Sequence, residues 1–178
     1  MPRLFTGFEV PPDIALRLSL LQGGLRGARW IDRENYHITL RFIGDVDDRT
    51  ADEVAHALGR IERPPLDIII QGAGAFGNRK PHSVWARIAP TPELAELQAE
   101  QERLLQRLGL EPEGRKYVPH ITLARLRGTS QRETADWLSL RGDLAIPPFP
   151  VERFVLFSSR ASRGGGPYLV EEAYPLAA

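Results

Sequence analysis

The tetrapeptide His-Ile-Thr-Leu occurs twice in this chain, at residues 37–40 and again at 120–123. In each copy a His and a Thr stand two residues apart, and apolar residues occupy the alternate positions. This alternation is typical of a β-strand with one buried face, so the His and Thr of each copy are expected to share the opposite face. The pattern therefore offers two imidazoles and two hydroxyls to one site: His37, Thr39, His120 and Thr122.

Two histidines in one site can act as an acid and a base in the same step. A free imidazole has a pKa of about 6.5, so near neutral pH it can either give or take a proton. On opposite sides of a phosphorus atom, one ring would take a proton from an attacking water while the other protonates the departing oxygen. Threonine hydroxyls can donate hydrogen bonds to the remaining phosphate oxygens, whose negative charge must be stabilised in the transition state.

A structural role or a metal site would also use histidines, but both fit this pattern less well. A single His in a strand is more often structural than catalytic. A duplicated structural strand could also repeat its sequence. The repetition of four identical residues nevertheless favours a functional pair of histidines. Zinc takes three or four ligands, and no carboxylate lies two residues from either motif His, so no metal is expected. His56 is expected on the surface or half-buried in a helix, and His82 is expected to be exposed in a loop.

Composition sets the remaining bounds. A chain of 178 residues fits one compact domain, or two small lobes with a shared core. It has no cysteine and no apolar run of the roughly 20 residues that span a membrane, so we expect a cytoplasmic protein. The 23 basic residues equal the 23 acidic ones, which argues against a broad nucleic-acid-binding face. The sequence still allows a local basic cleft, formed by some of Arg79, Lys80, Arg115, Lys116, Arg125, Arg127, Arg160 and Arg163.

Hydrophobic periodicity predicts helices and strands that repeat along the chain. Each half has a strand, a helix that follows a proline, the His-Ile-Thr-Leu strand and a second helix. The segment Gly72–Gly77 is expected to be a loop between strands at Leu66–Gln71 and Ser83–Ala89, and further strands are expected at Val151–Ser158 and Tyr168–Ala173. An internal duplication of this kind predicts an α+β protein of two related lobes in a single domain over residues 1–178.

The paired motifs resemble those of the 2H phosphoesterase superfamily. Within it, the segments 37–44 (HITLRFIG) and 120–125 (HITLAR), with Trp30 before the first, are similar to the RNA 2′,3′-cyclic phosphodiesterase family of bacteria and archaea, also called 2′-5′ RNA ligases. The opening RLFTGF at 3–8 and the late FVLFS at 154–158 fit the same family. The resemblance extends over nearly the whole chain.

The resemblance implies a bilobal, pseudo-two-fold α+β fold, with two antiparallel sheets lining a central cleft and helices outside. It implies hydrolysis of 2′,3′-cyclic phosphate ends of RNA to 2′-phosphomonoesters without a metal or cofactor, and the reverse step, 2′-5′ ligation. On this basis His37 is the proton donor to the leaving 3′ oxygen, and His120 is the base that activates water. Thr39 and Thr122 would hold the phosphate, and a monomer is the default.

The roles of three further residues are less directly determined by the sequence. Strict alternation turns Arg125 inward, where an unpaired guanidinium is costly, so a bend after the motif or a phosphate or carboxylate partner is needed; we expect it near the phosphate. Phe42 alternates with Ile38 and Leu40 and is expected in the core. Tyr168 is a candidate for stacking on a base, with packing inside the protein as the alternative.

Two further functions stay open on the sequence alone. The same chemistry would serve small cyclic nucleotides or 2′-5′ oligonucleotides. A protein that binds RNA ends without turnover is the alternative from another class, but binding alone would be served as well by Arg or Lys as by two histidines.

Overall fold

In a computed structural model of the protein, residues 2–159 and 166–177 are described, so Arg160 and Arg163 of the expected basic set lie outside the described residues. The described residues form nine β-strands, four α-helices and a short 3-10 helix. In chain order these are β1 (Arg3–Glu9), α1 (Pro12–Ser19), β2 (Ala28–Trp30), the 3-10 helix (Arg33–Asn35), β3 (His37–Asp45), α2 (Asp48–Leu58), β4 (Leu66–Phe76), β5 (Ser83–Ile88), α3 (Pro92–Arg107), β6 (His120–Leu126), α4 (Gln131–Ser139), β7 (Ala145–Val151), β8 (Arg153–Ser159) and β9 (Tyr168–Pro175).

The strands form two antiparallel sheets, which confirms the predicted α+β class and its duplication. One sheet has the order β3-β1-β8-β9, and the other has the order β2-β6-β5-β4-β7. Without β2, the two orders are equivalent: a motif strand, its antiparallel partner and two further strands. The motif strands β3 and β6 contact each other, so the two tetrapeptides meet where the sheets face one another.

The two sheets do not divide the chain at its midpoint. β3 and β1 come from the first half, but β8 and β9 complete their sheet from the end of the chain. Conversely, β4 of the first half pairs with β5 and β7 in the other sheet. A single residue, Glu152, connects β7 to β8 and thus one sheet to the other. The larger hydrophobic cluster accordingly contains Phe8 from β1, Leu97 from α3 and Phe154 from β8.

A β-bulge interrupts both motif strands at the same residue of the tetrapeptide. The pairing of β3 with β1 skips Leu40, and the pairing of β6 with β5 skips Leu123. An extra residue in one strand turns the side chains that follow it to the opposite faces. Arg41 and Ala124, which come next, are therefore buried.

The bulge corrects two expectations that assumed strict alternation. Phe42 is not a core residue: its side chain is 47% exposed. Arg125, its equivalent in the second copy, does not face inward either, because the bend after the motif brings it to the exposed side. The bend, one of the two resolutions considered for Arg125, is thereby confirmed.

Two further sequence predictions are wrong in the second sheet. The segment Gly72–Phe76 is not a loop but the continuation of β4. Gly74 is required by packing, because a Cβ there would lie 2.3 Å from the Trp85 ring. The strand β7 was not predicted at all, since it contains three prolines. They are tolerated because β7 is an edge strand that pairs only with β4.

Arg41, turned inward by the bulge, attaches the segment between α3 and β6 to β3. Its side chain is 5% exposed and forms an ion pair with Glu102, whose side chain is 17% exposed. A second guanidinium nitrogen donates a 2.6 Å hydrogen bond to the Glu111 carbonyl. Glu102 also accepts a 2.9 Å hydrogen bond from the backbone N–H of Glu113. The residues that lead into the second motif are thus fixed to the strand of the first.

We expect Arg41→Met to lower the free energy of unfolding by about 3 kcal/mol, because removing one partner leaves a largely buried carboxylate without its cation. Urea denaturation of the variant and the parent protein measures this loss. The matched control is Arg49→Met, since the Arg49 side chain is 89% exposed in its pair with Glu53. That change should cost less than about 0.5 kcal/mol. Equal losses in the two variants would contradict the role given to Arg41.

Within the described residues, no helix combines the length and the apolar character needed to cross a membrane.

Candidate active site

All six site residues expected from the sequence line one cavity of about 260 Å³ between the two sheets. They are His37, Thr39, His120, Thr122, Arg125 and Tyr168. Each motif contributes its His and its Thr from the same face of its strand, as the alternation predicted. The cavity therefore unites two copies of one sequence pattern that lie almost half the chain apart.

Both imidazoles are held by the same hydrogen bond. The Nδ1 atom of His37 lies 3.0 Å from the carbonyl oxygen of Asn35, and the Nδ1 atom of His120 lies 2.7 Å from that of Val118. Because a carbonyl can only accept, each Nδ1 carries a proton. The neutral ring then has a bare Nε2, ready to take a proton, and the charged ring has an Nε2–H, ready to give one.

Aromatic rings surround His37 on the side of the first sheet. The centroid distances are 4.7 Å to Tyr168, 5.0 Å to Phe5 and 5.8 Å to Phe157. Burial among these rings lowers the pKa of His37 from 6.5 to about 4, and the positive charges of His120 and Arg125 act in the same direction. The hydrogen bond to the Asn35 carbonyl opposes this shift without reversing it. His37 is therefore neutral at pH 7.

His120 has a similar but more open environment. Its ring lies 5.0 Å from Phe76 and 5.5 Å from Trp85, measured between centroids. Burial lowers the pKa of His120 as well, and the charge of Arg125 contributes to the same effect. Both imidazoles thus favour their neutral form until negative charge enters the cavity.

The threonines and Arg125 offer hydrogen-bond donors around the same space. Within residues 2–159 and 166–177, the Thr39 and Thr122 hydroxyls make no hydrogen bond to the protein. The guanidinium of Arg125 lies at the cavity, and its charge acts on both histidines. Two hydroxyls, a guanidinium and two imidazoles can together surround a tetrahedral anion such as phosphate.

No group of three or more His, Asp or Glu side chains in the described part of the chain is arranged to bind a metal ion.

Comparison with known proteins gives the family of the chain. A family model described as "LigT like Phosphoesterase" matches residues 8–86 and 88–168. The chain belongs to the LigT-like phosphoesterase family. The expected membership of the 2H phosphoesterases is confirmed.

Several relatives of this LigT-like phosphoesterase are named RNA 2′,3′-cyclic phosphodiesterase. The one from Thermotoga maritima is 32% identical over 178 residues and covers 94% of this chain and 92% of its own. The one from Aeropyrum pernix is 34% identical over 141 residues, with 78% and 80% covered. The crystal structure of E. coli LigT complexed with 3′-AMP matches with a TM-score of 0.78 at 25% identity and 99% coverage of both chains.

The sequence did not reveal how the LigT-like phosphoesterase holds its two motifs together. Tyr117, three residues before the second motif His, donates a 2.8 Å hydrogen bond to the backbone carbonyl of Thr39. Burial raises the pKa of the Tyr117 hydroxyl, so it keeps its proton and remains the donor. The approach to His120 is thus attached to the backbone of the first motif. Only the position of Tyr117 beside the motif pointed to it.

The rings that surround the imidazoles were also missed. Phe76 lies in the segment predicted as a loop, and the sequence indicated no role for Phe5 or Phe157, which pack together in the smaller hydrophobic cluster. The remaining histidines behave as expected: His56 is exposed on α2, and His82 is exposed in the loop between β4 and β5. His82 nevertheless borders the central cavity of the LigT-like phosphoesterase.

Proposed function

We propose that the protein hydrolyses 2′,3′-cyclic phosphate ends of RNA to 2′-phosphomonoesters, with His37 and His120 as its acid and base. The observation that carries this proposal is the matched pair of imidazoles at one cavity, each held through Nδ1 by a carbonyl. The names of the relatives from Thermotoga maritima and Aeropyrum pernix give the substrate class. The complex of E. coli LigT with 3′-AMP shows that a protein of this fold accommodates a nucleotide.

The reaction is an in-line displacement at phosphorus. His120 Nε2 takes a proton from a water molecule, whose oxygen attacks the phosphorus. The bond between phosphorus and the 3′ oxygen breaks on the opposite side, and His37 Nε2–H protonates that oxygen. The product carries its phosphate on the 2′ oxygen. All groups in this step come from one chain, so a monomer is sufficient, and no metal or cofactor takes part.

The assignment of His37 as the acid follows the resemblance to the family and requires a rise in its pKa on binding. Without a bound anion the pKa of His37 is about 4, which favours the neutral ring. A phosphate anion beside the ring favours the charged form, because an opposite charge at short distance stabilises it. The substrate thus helps to protonate the group that releases its 3′ oxygen.

The other four residues hold the substrate. The free hydroxyls of Thr39 and Thr122 donate to the non-bridging oxygens, and Arg125 balances their charge. Tyr168 packs edge-on against His37 and also borders the side cavity of about 210 Å³ next to it. We assign this side cavity to the terminal nucleoside, with Tyr168 beside its base. With a 5′-hydroxyl in place of water as the nucleophile, the same two histidines would join it to a cyclic phosphate end through a 2′-5′ bond: the bond from phosphorus to O5′ forms, the bond to O3′ breaks, and no ATP is needed.

The test is incubation of the protein, in EDTA, with an RNA oligonucleotide that ends in a 2′,3′-cyclic phosphate. We expect a 2′-phosphate end at full rate, because no step depends on a metal. A 3′-phosphate product would keep the two-histidine mechanism but reverse the orientation of the substrate in the cleft. Loss of activity in EDTA would revive a metal-dependent mechanism. Turnover of small cyclic nucleotides alone would shift the substrate class, and binding without turnover would contradict the proposed enzyme.

A further inference from the structure

The two imidazoles are held by equivalent hydrogen bonds, but the two carbonyls that accept these bonds are fixed in different ways. Asn35 ends the 3-10 helix, where its backbone N–H donates a 2.8 Å hydrogen bond to the Asp32 carbonyl. The next N–H, that of Tyr36, donates to the Arg33 carbonyl at 3.3 Å. A tight helical turn thus holds the acceptor for His37 within its own stretch of chain.

Val118, whose carbonyl holds His120, has no such local support. It lies between α3 and β6, outside both elements. Within residues 2–159 and 166–177, the backbone N–H groups of residues 116–118 make no hydrogen bond to the protein. The Pro119 carbonyl accepts a 3.2 Å hydrogen bond from the N–H of Ile88, so the chain joins the second sheet only after Val118. Secondary structure therefore does not fix the direction of the Val118 carbonyl.

Tyr117 supplies this support from the first motif. Its hydroxyl donates the 2.8 Å hydrogen bond to the backbone carbonyl of Thr39, and its half-buried ring packs against the larger hydrophobic cluster. Thr39 is itself fixed, since it pairs with Gly7 in the ladder between β3 and β1. Adjacent Cα atoms are only about 3.8 Å apart, so anchoring Tyr117 also restricts Val118.

These contacts form one continuous path from the first motif to the second imidazole. The path runs from the Thr39 carbonyl to the Tyr117 hydroxyl and along the chain to the Val118 carbonyl. That carbonyl accepts the 2.7 Å hydrogen bond from Nδ1 of His120. A rotation of the Val118 carbonyl would turn the ring with it and move Nε2, the atom that exchanges the proton. Burial raises the pKa of the Tyr117 hydroxyl, so the path stays intact where the imidazoles titrate.

We propose that Tyr117 is a positioning residue, which sets the direction of the His120 imidazole relative to the first motif. This inference rests on the proposed function and adds to it a residue that acts through His120 rather than on the substrate. In-line displacement needs the acid, the phosphorus and the base in one line, and a misplacement of about 1 Å can cost about 10²-fold in rate. With the Tyr117 hydroxyl in place, Nε2 of the base stays aimed at the attacking water.

The test is Tyr117→Phe, which removes the hydroxyl and keeps the ring. We expect kcat for hydrolysis of a 2′,3′-cyclic phosphate end to fall about tenfold, because a loosely held imidazole is aimed correctly only part of the time. KM should change less than about twofold, since the phosphate-binding side chains remain. The matched control is Tyr174→Phe, because Tyr174 donates a similar 2.7 Å hydrogen bond to the Ala55 carbonyl, away from the cavity. This control should keep its kcat.

Nuclear magnetic resonance of the imidazole nitrogens gives a readout that does not depend on turnover. We expect neutral His120 to carry its proton on Nδ1 alone in the wild-type protein, and to populate both tautomers in Tyr117→Phe. Burial lowers the pKa of His120, and the hydrogen bond to the Val118 carbonyl opposes this shift. A looser bond should therefore lower that pKa further. Tyr174→Phe should leave the tautomer and the pKa unchanged, which separates positioning from a loss of stability.

Unchanged kcat in Tyr117→Phe, or a rise in KM alone, would overturn the proposal. So would equal losses of kcat in Tyr117→Phe and Tyr174→Phe, or a wild-type His120 that populates both tautomers, a result that needs no variant to fold. A wild-type protein that does not turn over cyclic phosphate ends would contradict the proposed function. In that case the nitrogen signals of the two variants still decide whether Tyr117 directs the ring.

Discussion

We expect replacement of either His37 or His120 by alanine to lower kcat for hydrolysis of a cyclic phosphate end by about 10²–10⁴-fold, the usual contribution of a positioned acid or base. The two rings act in one step, so the double variant should lose little more than the more damaging single variant. Steady-state or single-turnover kinetics on the purified variants measures the loss. The binding of a 2′-phosphomononucleotide should persist in both, since Thr39, Thr122 and Arg125 remain.

His56→Ala is the matched control, because His56 lies on α2, away from the cavity. It should leave kcat unchanged. Circular dichroism of each variant checks that the fold is retained, since both motif histidines lie among packed aromatic rings. A loss of less than about threefold in His37→Ala or His120→Ala, far under the range for a general acid or base, would remove that residue from the mechanism.

The second large effect is a strong dependence of kcat/KM on pH. This quantity follows the pKa values of the free enzyme, and the proposed reaction needs one imidazole charged and the other neutral. Burial lowers the pKa of His37 to about 4 and lowers that of His120 too. The one-proton form is therefore most abundant below pH 6.5, and it disappears as the pH rises and the last ring loses its proton. Above the maximum, kcat/KM should fall roughly tenfold per pH unit.

The profile of kcat should extend to higher pH than that of kcat/KM. It reports the bound complex, in which the phosphate anion raises the pKa values of the rings beside it. Rates measured between pH 4 and 9, with protein stability checked at each pH, give both profiles. A maximum of kcat/KM above pH 7.5, or a flat profile, would contradict two buried histidines with lowered pKa values.

The sequence predicted which residues meet at one cavity better than it predicted their surroundings. Alternation correctly placed His37, Thr39, His120 and Thr122 on common faces, because a period of two holds over the four residues of each motif. It failed at the next residues, since the bulges that expose Phe42 and Arg125 arise from pairing with β1 and β5. Such pairing depends on distant strands. Gly7 shows this, because a Cβ there would lie 2.3 Å from the Ile38 carbonyl oxygen.

The local chemistry around the histidines was hidden for a related reason. The acceptors for both Nδ1 atoms are backbone carbonyls, of Asn35 and Val118, which every residue type possesses. Residue identity therefore gives no signal for them. Phe76 was missed because glycines on a strand were interpreted as a loop, although Gly74 is needed to accommodate Trp85. Short-range patterns predict faces and caps, whereas long-range packing decides bulges and close approaches.

The exchange of strands between the sheets has a consequence for how this cleft can move. Enzymes that close on their substrates by domain rotation have lobes joined by a few flexible linkers, and a hinge absorbs the change. Here β4 and β8 each carry the chain into the sheet of the other half, and only Glu152 separates β7 from β8. The chain also changes sheet between β1 and β2, between β2 and β3 and between β3 and β4, so opening the cleft would strain several connections at once. We therefore expect the distance between the two imidazoles to change little when a substrate binds. Selectivity among substrates then depends on which of them fit between the two rings.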